Sequence, residues 1–357
     1  MVKFVGSHTN FEWVETGYYT LDLALRRNYL ELGFPSRTLT EVYGPTSIGK
    51  STFINSVAGT LGKLKTLNIA CLDLEPQAEE TIAAICETVG FDGEWKWVEP
   101  SKVDRHGSFT DEHLLQELLK NVKNNYITIL DSVASVAPVS EVEGDIGDAN
   151  MGRRAFPMAQ FSRGMNRALK YSDEGTFSFM ANHKYEKMAT RSMFAVYTAP
   201  GGVVKENMCH IRIEAKNPWM KLGTSNKLAL FGDGWVFEGK VLKNRGGISK
   251  TDFWVFMIGG QGIHNGLTAL FDCVKLKLVK VGGSTVKNMT VVLKDGTGEV
   301  INIYKAVQDR DSFDFSPFHI ALKNHQISAE DDARDIENAK TEDEDVVFVD
   351  ISGEEDE

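Results

Sequence analysis

The sequence predicts an α/β protein: a mainly parallel, twisted sheet with flanking helices, an antiparallel extension of that sheet, and a small C-terminal α+β unit. Three observations carry this reading. Short apolar runs alternate with amphipathic stretches through the first half of the chain, the pattern of strands joined by crossover helices. After Cys209 the runs shorten and alternate apolar with polar residues, as half-exposed antiparallel strands do. From Leu267 to Asn324 the pattern is mixed and weaker.

The elements follow in order. Leu39 to Tyr43 is a strand, followed by a glycine-rich turn and a helix from Lys50 to Leu61. Leu67 to Leu72 is a second buried strand. Asp111 to Asn124 is helical, with Leu114, Leu115, Leu118 and Leu119 on one face and Lys120 and Lys123 in water. Tyr126 to Leu130 and Thr176 to Ala181 are the third and fourth strands. The antiparallel extension is expected from Ile211 to Ala215, Lys227 to Phe231, Lys240 to Leu242 and Phe253 to Met257. These elements divide the chain into a short N-terminal lead-in (1–35), a core (36–265), a small C-terminal domain (266–328) and an acidic tail (329–357).

Composition narrows the function. With 357 residues, 42% hydrophobic and 25% charged, the chain can bury one large core and a smaller appended one. No apolar run approaches the length of a membrane span, and no secretion signal is visible at the N-terminus, so a cytoplasmic protein without a membrane partner is expected. Cys71, Cys86, Cys209 and Cys273 are scattered without metal-ligand spacing and read as reduced thiols. The net charge of −11 sits almost wholly in one place: from Ala329 onward there are fourteen Asp or Glu and two Lys or Arg. Such a tail is expected to be disordered. It serves either solubility or electrostatic competition with DNA for a basic surface.

The chemistry is concentrated at Gly44-Pro45-Thr46-Ser47-Ile48-Gly49-Lys50-Ser51, followed by Thr52, a full G-x-x-x-x-G-K-[ST] motif between a strand and a helix. Its glycines let backbone N–H groups wrap a phosphate, and the helix N-terminus adds partial positive charge. Lys50 would reach the β- and γ-phosphates of ATP, and Ser51 would ligate Mg²⁺. Tyr126-Ile127-Thr128-Ile129-Leu130-Asp131 is an apolar strand ending in an acid, so Asp131 is the second metal candidate. Past the second strand, Glu75 and Asp73 compete for the role of orienting the attacking water.

After Asp131 come Ser132-Val133-Ala134-Ser135-Val136-Ala137-Pro138, then Glu141-Val142-Glu143-Gly144-Asp145-Ile146-Gly147-Asp148 and Met151-Gly152. This stretch resembles the RecA family of strand-exchange recombinases, where the same strand runs into a first DNA-binding loop. Thr16-Gly17 through Leu21-Asp22-Leu23-Ala24-Leu25 and Lys240-Val241-Leu242-Lys243-Asn244-Arg245 resemble two further family blocks in the same order. The resemblance covers about residues 14 to 265. The C-terminal region is similar to the UvsX-type recombinases of tailed phages, which suggests a phage-encoded protein of a bacterial cell.

The resemblance implies a RecA-type P-loop ATPase core and favours Glu75 as the catalytic carboxylate. It places Asp148, Met151 and Gly152 in the first DNA loop and Arg163 against a phosphate, with Arg153, Arg154 and Arg167 beside it. It makes Lys184 to Gly202 a second DNA loop, including Lys187, Arg191, the Met193-Phe194 pair, and Gly201 and Gly202. His183 stands where the family has a glutamine that senses the γ-phosphate. Lys243 and Arg245 match basic residues that reach the ATP of a neighbouring protomer. The implied partners are single-stranded DNA, homologous duplex DNA, further copies in a helical filament, and single-strand-binding and loader proteins. Alternative readings are a RecA-like mediator or a hexameric helicase core. The sequence also departs from the family: Phe156 replaces an arginine, no aromatic is evident for stacking adenine, and the family's N-terminal oligomerisation helix is expected to be absent.

Overall fold

The computed structural model describes residues 11–99, 110–139, 154–172, 175–187, 196–216, 219–222, 225–228, 230–283, 286–293 and 300–344. Its centre is a ten-stranded sheet. Six parallel strands form one side: β1 (Leu39–Gly44), β2 (Ile69–Asp73), β3 (Trp95–Trp97), β4 (Ile127–Asp131), β5 (Ser178–His183) and β6 (Ile211–Lys216). Four antiparallel strands extend it: β7 (Leu230–Phe231), β8 (Gly234–Asn244), β9 (Thr251–Ile258) and β10 (Gly262–Ile263). The spatial order is β10-β9-β8-β6-β1-β5-β4-β2-β3, with β7 on the free flank of β8. A mainly parallel sheet with an antiparallel extension is therefore what the sequence encodes.

Helices cover both faces, as the continuous apolar character of β1, β2 and β4 requires. Against one face lie α1 (Tyr19–Leu25), α2 (Lys50–Lys65) and α3 (Glu79–Val89), packed through Leu21, Leu25, Phe53, Ile54 and Val57. Against the other lie α4 (Asp111–Lys123) and α5 (Ala155–Lys170), through Leu114, Leu118, Met158, Phe161 and Met165. The short helix α6 (Gly202–Met208) packs on α5.

Some elements differ from the sequence reading. The single strand expected from Lys227 to Phe231 is divided. Ser225–Leu228 forms a hairpin with Trp219–Leu222, whereas Leu230–Phe231 joins β8. The strand expected at Lys240 to Leu242 is only part of the eleven-residue β8. Gly239 hides its length, because glycine breaks a strand pattern. Here the glycine is required: a Cβ on Gly239 would lie 2.0 Å from the Phe253 ring that covers it from β9.

The C-terminal unit comprises α7 (Asn265–Lys275), a three-stranded antiparallel sheet (Val279–Gly282, Thr290–Leu293, Ile301–Asn302), α8 (Ile303–Gln308) and α9 (Ser316–Glu344). It shares one apolar cluster with Tyr19, Leu32, Phe231, Val236 and Phe256. α9 extends past residue 329, where the acidic tail was expected to begin. Its 29 residues run, as helix, through the first part of the acidic segment. Phe318 and Leu322 anchor its start, Tyr19 Oη meets His325 Nδ1 at 2.9 Å, and Arg334 pairs with Glu330 and Asp331 one turn back.

Two buried carboxylates hold the N-terminal segment, Asp22 from within it and Asp272 from α7. Asp22 accepts hydrogen bonds from Thr16 N, Thr16 Oγ1 and Gly17 N at 2.8–3.0 Å. Asp272 on α7 accepts from Thr20 N at 3.1 Å and Thr20 Oγ1 at 2.5 Å. Burial outweighs these hydrogen bonds and raises Asp22 to about 7 and Asp272 to about 8. The folded chain thus holds a proton on Asp272 that the unfolded chain releases near pH 4. The associated stability is complete below that pH and is lost as pH rises through about 8. Asp272→Asn, which still accepts from Thr20, is expected to flatten the fall in melting temperature between pH 6 and pH 8.5, measured by circular dichroism. An unchanged slope would place the dependence elsewhere.

Candidate functional site

The phosphate loop lies where β1 ends. Gly44 leaves the sheet, Ser47 and Gly49 adopt positive φ of 57° and 94°, and α2 begins at Lys50. Gly49 has two reasons to be glycine: its left-handed backbone, and the Met257 Cε and Trp235 ring carbons at 2.7 and 3.0 Å from any Cβ. Lys50 is buried and curls back to donate to the Pro45 carbonyl at 2.7 Å. Burial lowers its pKa, and Asp131 and Glu75 oppose that by favouring the charged form.

Strand register supplies the rest. Asp73 pairs with Asp131 across β2 and β4, and His183 pairs with Gly44 across β5 and β1. Ser47, Gly49, Lys50, Ser51, Thr52, Glu75, Asp131 and His183 therefore line one cleft of about 190 Å³. Glu75 Oε1 accepts from Ser132 Oγ at 2.5 Å and Ser135 Oγ at 2.7 Å, and lies 3.0 Å from His183 Nε2. Burial alone would raise Glu75, but these three contacts outweigh it and bring it down to about 2. Asp73 uses its oxygens otherwise, accepting from Glu75 N and Gln77 N and so holding the turn that aims Glu75. Asp131 accepts from Gln77 Nε2 at 3.0 Å. Burial raises it to about 6; the hydrogen bond from Ser51 opposes this, and the neighbouring Glu75 and Asp73 reinforce it.

This donor set fits Mg²⁺–ATP. A glycine-rich turn, a lysine, and a hydroxyl beside a carboxylate crowded by two others form a place where a cation would offset repulsion. Among the described residues no group of three or more His, Cys, Asp or Glu could hold a metal on its own. Mg²⁺ keeps waters and phosphate oxygens among its ligands, so Ser51 and Asp131 could hold it beside a bound phosphate.

A second network, of buried charges, lies below the cleft. Glu41 on β1 is fully buried; it accepts from Lys205 of α6, from Arg212 Nε at 2.7 Å and from Asn182 Nδ2 at 2.7 Å. Asn182 also donates to the Pro200 carbonyl at 3.0 Å. The residue preceding His183 is thus tied to the segment that enters α6, where Gly201 and Gly202 turn with φ of 94° and 77°.

The other expected residues are distributed around this centre. Lys184 pairs with Glu214 at 2.5 Å, and Lys187 lies in a short strand (Tyr185–Lys187) paired with Val196–Thr198. Arg163 and Arg167 are exposed on α5, whereas Arg154 donates to the Val136 carbonyl. Asp148, Met151, Gly152, Arg153, Arg191, Met193 and Phe194 lie outside the described residues. Lys243 and Arg245 donate to the Glu206 and Asn207 carbonyls at the end of α6. They sit at the sheet end remote from the phosphate loop, since Lys243 pairs with Arg212, itself level with Glu41.

Sequence reasoning missed Gln77, Ser132, Ser135, Glu41, Lys205, Arg212 and Trp235. Glu41 carried a signal, a lone carboxylate inside the apolar run Leu39 to Tyr43. Ser132 and Ser135, spaced by three after a strand-end acid, carried another. Trp235 lies against Gly49 of the phosphate loop but is distant from it in sequence.

A family model described as the RecA N-terminal domain matches residues 2–244. The chain is similar to Protein RecA of Chlamydia abortus (28% identity over 68% of this chain and 64% of that one). It is also similar to Protein RecA of Rubrobacter xylanophilus (28% identity over 71% and 76%). The chain thus spans somewhat under two thirds of the length of the chlamydial relative. A solved structure of the RadB recombinase is a looser match (TM-score 0.46, 18% identity, 70% of this chain and 97% of that one).

Lys205→Met should destabilise the fold by about 3–5 kcal/mol, because it leaves the buried Glu41 carboxylate short of a partner. Adding Glu41→Leu should recover much of that. Denaturant melts of the single and double variants measure both, and a neutral Lys205→Met would show that the pair contributes little.

Proposed function

Because the chain belongs to the RecA family, we propose that it is a DNA-dependent ATPase that assembles as a helical filament on single-stranded DNA and pairs it with homologous duplex. The observation that carries this reading is the position of Glu75. It lines the phosphate cleft and at the same time contacts His183, whose neighbour Asn182 is bonded to Pro200 and Glu41. A continuous set of contacts therefore links the water-orienting carboxylate to the segment leading into α6, as an ATPase coupled to a binding loop needs.

ATP, when bound with Mg²⁺, supplies the electrophilic phosphorus and the leaving group. Lys50 and the loop N–H groups would hold phosphate charge, and Ser51 and Asp131 would hold the cation. Glu75, ionised across the physiological range, orients a water through one oxygen while Ser132 and Ser135 fix its carboxylate plane. Lys243 and Arg245 face away from the phosphate loop of their own chain, which favours action on a neighbour. In this reading the exposed Arg163 and Arg167 of α5 contact DNA, together with the loop residues that the family resemblance assigns to it.

Glu75→Gln should retain binding of a fluorescent ATP analogue yet slow phosphate release by about a hundredfold or more, whereas Lys50→Ala should lose both. A Glu75→Gln protein turning over at the parent rate, with Asp73→Asn inactive, would reverse the carboxylate assignment. Lys243→Ala with Arg245→Ala should bind the nucleotide as a monomer and lose the stimulation of hydrolysis by single-stranded DNA. Electron microscopy of the parent with single-stranded DNA and a non-hydrolysable analogue separates a long filament from a ring or a small complex.

A further inference from the structure

The turn after α1 is built to present apolar side chains to solvent. Arg27 N donates to the Glu31 carbonyl at 3.0 Å, Leu30 N donates to Asn28 Oδ1 at 2.8 Å, and Asn28 bridges to Glu31. This closed turn holds Tyr29 and Leu30 at its tip, 37% and 42% exposed, with the Arg26 guanidinium 4.6 Å from the centre of the Tyr29 ring. The turn is stitched to the one that follows β8. Asn244 Nδ2 donates to the Leu25 carbonyl at 2.9 Å, and Ile248 N donates to the Arg26 carbonyl at 2.9 Å. The joint surface exposes Tyr29, Leu30 and Ile248 among Arg27, Arg245 and Lys250; its one acid, Glu31, is paired with Arg27 at 3.2 Å.

A surface of opposite character lies at the other end of the sheet. From Asp73 to Glu94 the chain carries seven Asp or Glu and no Lys, Arg or His. On α3, Glu79, Glu80, Ala83 and Glu87 are exposed on one side, an alanine notch rimmed by carboxylates; Lys63 reaches only the far end, at the Val89 carbonyl. α3 begins beside the phosphate cleft, just past Glu75. The cationic turns belong to the opposite end: Asn244 pairs with Ile211, which pairs with Thr40, about 13 Å along β1 from Gly44 at roughly 3.3 Å per residue.

The geometry points to a head-to-tail interface between copies of this chain, in which the Tyr29–Leu30 tip and its cations dock on the acidic α3 face of the next copy. Complementary charge at opposite ends cannot be satisfied within one molecule. A contact between unlike patches leaves one of each free at the ends, so it propagates copy by copy, as an open helical series where the rotation does not close a ring. It also brings Arg245 of one copy toward the phosphate cleft of the next. The inference rests on the filament reading above and names the surfaces that carry it.

Two charge-reversed proteins test it. In the first, Arg27→Glu and Lys250→Glu make both surfaces acidic; in the second, Glu80→Lys and Glu87→Lys make both basic. Each alone should need about ten times more protein to assemble, by sedimentation and light scattering with and without single-stranded DNA and a non-hydrolysable ATP analogue. An equimolar mixture should assemble like the parent, because every contact then joins unlike charges. Leu30→Asp should also weaken assembly and should not be rescued by mixing. If either charge variant assembles like the parent, or the mixture behaves like its parts, the interface is overturned while the recombinase reading stands. If the parent assembles only without DNA and mixing still rescues, the interface stands and the recombinase reading falls. A parent that never assembles overturns both.

Discussion

The site depends on one constraint, the in-register parallel pairing of β1, β2, β4 and β5. Parallel strands carry their C-terminal ends to one edge, and this register sets Gly44 level with His183 and Asp73 level with Asp131. A slip of one residue in any pair would turn the outgoing side chains to the other face. The apolar residues on both faces of these strands fix the register, because α1 to α3 and α4 with α5 each demand their own set. Core packing and site geometry are therefore the same problem, solved once.

The carboxylates at this edge are kept distinct by their surroundings. Asp73 is spent on turn N–H groups, Asp131 is buried among like charges and raised, and Glu75 is held ionised by two hydroxyls and an imidazole. Three acids of similar chemistry thus stand in three environments: one anchoring a turn, one buried beside Ser51, and one held ionised at the cleft. The difference lies in hydrogen-bond donors, which the strand ends alone do not provide. Ser132 and Ser135 come from the turn after β4, and His183 from β5.

Beneath the cleft, Glu41 ties β1 to α6 and β6 through Lys205 and Arg212. A buried ion cluster is a poor source of stability compared with apolar packing, but it tolerates few alternative arrangements. Here it fixes where α6 begins relative to β5, and so the path between the cleft and the loop preceding α6. The Lys243 and Arg245 side chains close the far end of the same helix. α6 is in this way gripped by charge at its middle residue, Lys205, and at its C-terminal end, although only seven residues long.

By itself the sequence determined the mainly parallel sheet, its antiparallel extension, and the phosphate loop with Lys50, Ser51 and Asp131. These are local: apolar runs of strand length and a motif whose glycines serve a single turn. The strand pattern left Glu75 and Asp73 in competition and only the family resemblance favoured Glu75, because both follow one strand and differ in what the folded chain brings to them. Gln77, Ser135 and Trp235 escaped notice for the same reason, since their contacts cross 54, 60 or more positions of chain. The tail was read from charge alone. The tertiary structure adds that Phe318 and Leu322 anchor a helix, from which the acidic residues continue. Composition describes what a segment repels; only packing decides what holds it.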